Sequence, residues 1–204
     1  PYGFGADGLP FNVCGPPDGR STFTPAYRPT EVVSLHARTG AGGSITLEFV
    51  DNIIELGPGP DFTVFENVMF QNGDPNQRYM EPAVVEVALF EGEWYRFPVN
   101  VNQPVKGKPD LTRPTYYVQG FAGINATTGG DPTNAASSGG DSFDANTLGL
   151  PGLTWIRFVR LVSTGDKAIS DLNGIPVEHT AVNNALSGGV SSGFDLDAVS
   201  AVNY

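Results

Sequence analysis

The chain has 204 residues, 40% of them hydrophobic with 13 Phe, 7 Tyr and 2 Trp, and only 16% charged. That is enough apolar material for one core, and it excludes global disorder. A net charge of −11, from 22 acidic and 11 basic residues, repels phosphate backbones and argues against nucleic acid as a partner; no run approaches the ~18 apolar residues of a membrane span.

In chain order, residues 1–30 are rich in Gly, Pro and aromatics without a period. They read as an extended arm that packs on the domain through Tyr2, Phe4, Phe11, Phe23 and Tyr27. Residues 31–204 read as one β-sandwich domain. Glu31–Leu35 is a short strand, and a Gly-rich turn leads to Ser44–Val50. There Ile45, Leu47 and Phe49 alternate with Ser44, Thr46 and Glu48, the period of a half-buried strand. Turn signals at Asp51-Asn52 and Gly57-Pro58-Gly59-Pro60 separate Ile53–Leu56 from Asp61–Glu66. Ala83–Phe90 is the longest strand, and Glu91-Gly92 turns it into a hairpin with Trp94–Val99.

Residues of about 100–150 and 163–192 are dominated by Pro, Gly, Asn, Ser and Thr and read as insertions, the second with a short helix near Val177–Leu186. Between them Trp155–Val162 resumes the sheet, with Trp155 expected on the core face beside Arg157, Val159 and Leu161. Gly193–Val202 closes it. The 26 Gly and 17 Pro interrupt helices, and about eight short strands predict an all-β, two-sheet antiparallel sandwich of the jelly-roll kind.

The chemistry is carried by acids where strands meet turns: Asp18, Asp51, Asp61, Glu66, Glu81, Asp141, Asp144, Asp195 and Asp197. Calcium takes six to eight oxygens and mixes carboxylates with loop carbonyls. Asp195 and Asp197 are two apart on a strand and so share a face. Together with Asp18 and Asp61, each beside Gly or Pro in a turn, they form the expected calcium-ligand set. The alternative for Asp195 and Asp197 is a solvated sheet edge.

Enzymatic readings are weaker. Glu66 and Glu86 are the candidate pair for a glycoside hydrolase, which needs two carboxyls about 5–10 Å apart. No Gly-x-Ser-x-Gly elbow or Walker loop occurs. His36 and His179 lack metal-ligand spacing, and Cys14 is a single cysteine with no partner for a disulfide. Trp94, Tyr95, Tyr79, Tyr116 and Tyr117 are aromatic candidates for stacking on sugar. The low Lys content and the Asn125-Ala126-Thr127 sequon suit an exported chain, and a start at Pro1 without Met suggests that a leader was removed or the N-terminus trimmed.

An ordered set of motifs adds a resemblance: Gly15-Pro16-Pro17-Asp18-Gly19, Val33-Ser34-Leu35, Gly42–Phe49, Gly57–Asn67, Glu81-Pro82-Ala83, Gly120–Gly123, Gly139–Asp144 and Gly193–Val199. Over about residues 13–202 the chain resembles a group of bacterial cell-surface proteins. Its opening and closing motifs resemble galactose-binding-like jelly rolls, which include discoidin domains and many carbohydrate-binding modules. The resemblance implies a calcium site where the first loop, with Asp18, nears the last strand, with Asp195 or Asp197. The resulting expectation is a non-catalytic, calcium-binding module at the cell surface or outside the cell. Its partner is a surface glycan or matrix, or other copies of the chain in a structural assembly.

Overall fold

A strand that alternates has one face to bury, and Ser44–Glu48 buries Ile45 while Ser44, Thr46 and Glu48 stay exposed. The structure, a computed structural model, describes residues 3–35, 43–74, 78–102, 117–163, 169–170, 176–177 and 193–204. Two antiparallel sheets organise them. Their strands are β1 (Val33–Ser34), β2 (Ser44–Glu48), β3 (Phe62–Glu66), β4 (Ala83–Ala88), β5 (Tyr95–Arg96), β6 (Phe121–Ala122), β7 (Asp141–Phe143), β8 (Phe158–Ser163) and β9 (Asp195–Ala201). One sheet runs β1-β9-β3-β7. The other runs β6-β4-β8-β2, with β5 also paired to β4. This is the expected all-β sandwich.

Register explains why the sheets stack. In the second sheet β8 sits between two partners, so that Val159 lies opposite Leu47 and Val87, and Leu161 opposite Ile45 and Val85. In the first sheet Val199 pairs with Val64 and Ala201 with Phe62. These rows meet in one core. Phe62 is fully buried there, stacked on Phe143 at 5.3 Å between ring centres and edge-on to Phe97 at 6.0 Å. A smaller cluster of Val68, Met80, Val84, Val99, Phe121 and Ala126 fills the space on the other face of β4.

Three features differ from the sequence reading. The arm is anchored by polar contacts more than by its rings: Phe11, Phe23 and Tyr27 are largely exposed. Asn12, buried, places its amide nitrogen against the carbonyls of Gly5, Pro29 and Val32, and Val13 reaches the core. Residues 117–150 are structured, with β6, β7, a helical turn at Ala135–Ser138 and a 3-10 turn at Ala145–Leu148. Trp155 is only half-buried, against the exposed Phe90, and Ile156 takes the core position. The strand is interrupted at Arg157 between the Trp155–Ile156 ladder, which pairs with Ile54–Glu55, and β8, so the alternation changes phase there. The helix expected near Val177–Leu186 lies outside the described residues, apart from Val177, which is paired in a two-residue strand.

Candidate functional site

Asp61 opens β3 and is fully buried. Its carboxylate accepts the backbone N–H groups of Gly57 and Ala145, each at 2.8 Å, and lies 3.4 Å from the Asn203 amide nitrogen. Its own backbone carbonyl accepts from Val202. The side chain therefore ties a turn, the segment after β7 and the C-terminal end of β9 to one point. Asp61→Ala leaves one buried and one half-buried donor without an acceptor, and we expect about 2–4 kcal/mol of lost stability in urea unfolding with an unchanged slope.

The other three expected ligands sit around the start of β9. Asp197 lies at a bulge between Leu196 and Ala198, and its two oxygens accept the backbone N–H groups of Asp18 at 2.9 Å and Gly19 at 3.0 Å. A Cβ at position 19 would stand 3.3 Å from Asp197 Oδ2 and 3.2 Å from Thr127 Cβ, so the close approach favours glycine. Thr127 Oγ1 is buried here without a hydrogen-bond partner. The first loop does near the last strand, but Asp18 meets Asp197 through its backbone and its side chain is exposed. Burial pushes the Asp197 carboxyl up to about 6 against the pull of those two N–H groups.

Asp195, two residues earlier, belongs to a different set of neighbours. Its carboxylate accepts from the Ser34 hydroxyl on β1 and from the Asn67 amide at 2.9 Å, just past β3. The backbone of the same segment recruits two more acids: Asp195 N–H donates to Glu66 Oε1 at 3.3 Å, and Gly193 N–H to Glu81 Oε1 at 3.2 Å. Glu66 ends β3 and is 2% exposed, and its Oε2 has no hydrogen-bond partner. Burial, and then the charges of Glu81 and Asp195, hold the Glu66 carboxyl well above the usual carboxylate range. Glu81 is shifted the same way by burial and by Asp195, while burial places Asp195 at about 6. Among the described residues, no three Asp, Glu, His or Cys side chains converge as a ready-made metal cage.

A cleft of about 370 Å³ opens where β6 and β7 face each other at the edges of the two sheets. Phe97, Phe121 and Phe143 line it from the buried side, and Gln119, Asp141 and Thr147 add polar groups. Asp141 is buried and fixed: its Oδ2 accepts the N–H groups of Ile124 and Asn125, and its Oδ1 accepts the Asn125 amide at 2.8 Å. Burial still lifts it to about 6.

Comparison with protein-family models, curated proteins and solved structures finds no match.

Glu86, proposed beside Glu66 as a hydrolytic pair, is committed elsewhere. It is buried on β4 and forms ion pairs with Arg96 at 2.8 Å and Arg160 at 2.5 Å, and Arg160 lies over the Trp94 ring at 4.1 Å. The sequon's Asn125 is engaged at both ends, with Arg78 at its oxygen and Asp141 at its nitrogen. Tyr95 packs against the core from β5. His36, His179 and Tyr116 lie outside the described residues. Glu81 is the group that sequence reasoning noticed as an acid beside Pro82 but did not place in a site.

Proposed function

We propose that this chain is a non-catalytic β-sandwich module that works at the cell surface or outside the cell and binds glycan in the cleft between β6 and β7. The carrying observation is the cleft itself. It combines a floor closed by buried Phe97, Phe121 and Phe143 with a fixed acid acceptor, Asp141, and the exposed polar side chains of Gln119 and Thr147 at the rim. Its volume is at the lower end of small-ligand pockets, which suits one or two sugar units. Asp141 and Asp144 beside the cleft, on a chain of net charge −11, favour neutral sugars over sulfated or uronic ones. Asp141 is held as an acceptor by three N–H contacts, a role that suits orienting hydroxyls.

Glycan-array screening followed by calorimetry tests this reading. Gln119→Ala combined with Thr147→Val removes two polar contacts at the rim and is expected to weaken binding about tenfold. An array with no neutral glycan retained, or an affinity unchanged in the double variant, sinks it. A second reading, assembly with other copies of the chain, is favoured by the exposure of Phe11, Phe23 and Phe90 at 85%, 68% and 62%. Sedimentation across a concentration series separates the two, because a binding module stays monomeric without ligand.

A further inference from the structure

We propose that Glu66, Glu81 and Asp195 bind a calcium ion at the end of the sandwich where β1, β3 and β9 meet the segment leading into β4. This site is separate from the glycan cleft and differs from the set of Asp18, Asp61, Asp195 and Asp197 that the sequence suggested. It shares only Asp195 with that set.

One buried carboxylate oxygen at this end of the sandwich has no partner. Glu66 Oε2 is buried and accepts no hydrogen bond, while Oε1 receives one long N–H contact from Asp195. Buried acceptors are nearly always satisfied, and leaving one bare costs free energy. The other buried or ion-paired acids show how this chain meets the same need. Glu86 has two arginines, Asp61 has two backbone N–H groups and Asp197 has two more. The backbone that approaches Glu66 brings two more acids with it, Asp195 through its own N–H and Glu81 through the N–H of Gly193, and both raise the Glu66 carboxyl by their charge. A cation held by Glu66, Glu81 and Asp195 supplies the partner that Glu66 Oε2 lacks and offsets the repulsion among the three carboxylates.

The surroundings supply further oxygens of the right type. Asn67 donates its amide N–H to Asp195 Oδ2, which leaves its amide oxygen for an ion. Three acids and an amide form an all-oxygen donor set, which excludes the softer metals that prefer His or Cys. Calcium suits the site better than magnesium. Magnesium keeps several waters and demands near-ideal octahedral geometry, while Glu66 is dry and the donors come from three separate segments. Calcium accepts irregular cages with oxygens at about 2.3–2.6 Å. Since these side chains do not converge beforehand, the ion must draw the Glu66, Glu81 and Asp195 carboxylates together. Site formation and binding are then one step, and the ion braces β3 against β9 and against the entry to β4.

The test uses the full chain, first with a chelator and then with calcium chloride. Elemental analysis of the chain dialysed against calcium is expected to give one equivalent. The thermal midpoint is expected to rise by roughly 5–10 °C when calcium is about a hundred times its dissociation constant. Magnesium at the same concentration is expected to do much less. Glu66→Gln gives a two-sided readout: with chelator its midpoint lies above that of the wild-type chain, because a buried charge is gone, and calcium no longer raises it. Asp195→Asn is the second variant, for use if the first folds poorly. Asp197→Asn keeps the calcium response, since Asp197 is outside the site. The proposal is overturned if the wild-type chain holds no calcium and its midpoint does not move. It is also overturned if Glu66→Gln and Asp195→Asn respond like wild type, or if Asp197→Asn alone abolishes the response.

Discussion

Phe62→Ala should lower stability by about 3–5 kcal/mol, the largest loss expected from a single side chain here. Phe62 is fully buried, pairs with Ala201 across to β9 and with Phe143 across to β7, and its ring touches both Phe143 and Phe97. Removing it deletes the transfer free energy of a whole aromatic side chain and leaves a cavity between rings that cannot easily close. Phe97 and Phe143 are themselves held 5.0 Å apart, edge to face. Both also border the cleft between β6 and β7, so the cavity reaches the wall of the proposed glycan site. Phe62→Leu, which keeps most of the volume, should cost much less. Chemical denaturation of the two variants checks this, and a Phe62→Ala midpoint near that of wild type would mean the trio is not a packing centre. The same substitution at Trp155 should cost less than at Phe62, because Trp155 rests half-buried against an exposed ring.

The contrast between Phe62 and Trp155 shows what the sequence makes legible. Ser44–Glu48 was readable because its residues alternate, and the hairpin of β4 and β5 because a long apolar run ends at a turn signal; β4 is buried on both faces and carries no alternation. β6 and β7 were not, because two or three residues inside a Gly-rich stretch carry no period. Trp155 was placed on the wrong face because the break at Arg157 shifts the phase between Ile156 and Val159, both core residues. The acids follow the same logic. Asp195 was legible as a carboxylate where a strand meets a turn, yet its neighbour Glu66 lies 129 positions away and meets it only because β9 pairs with β3. Strand order is set by tertiary packing, and no spacing rule encodes it. Asp195 and Asp197 look like one pair in sequence. In the fold they serve two groups of neighbours, one around Glu66 and Glu81 and the other around the backbone of Asp18 and Gly19.

In chelator, the chain should be more stable at mildly acid pH than at neutral pH. Asp141, Asp195 and Asp197 are each raised to about 6 by burial, from an ordinary value of 3.8, and Glu66 and Glu81 are raised well above theirs. A carboxyl whose folded pKa is raised binds its proton more tightly in the folded chain than in the unfolded one. Its stabilising contribution is complete below the unfolded pKa and is lost as pH rises through the folded one. The window therefore opens near pH 4 and extends past pH 6, and it runs higher for the two glutamates. Two pKa units correspond to roughly 3 kcal/mol, so the three aspartates alone can remove several kcal/mol between pH 4 and pH 7. Loss of net negative charge on acidification acts in the same direction, since self-repulsion falls. Urea midpoints at pH 4.5, 5.5, 6.5 and 7.5 check the sign, and a midpoint that is flat or rises towards neutrality contradicts it. Calcium should flatten the profile only in part. The ion favours the ionised forms of Glu66, Glu81 and Asp195 and so removes their share of the slope at neutral pH. Asp141, fixed by Asn125, and Asp197, fixed by Asp18 and Gly19, lie outside the ion's cage and keep theirs.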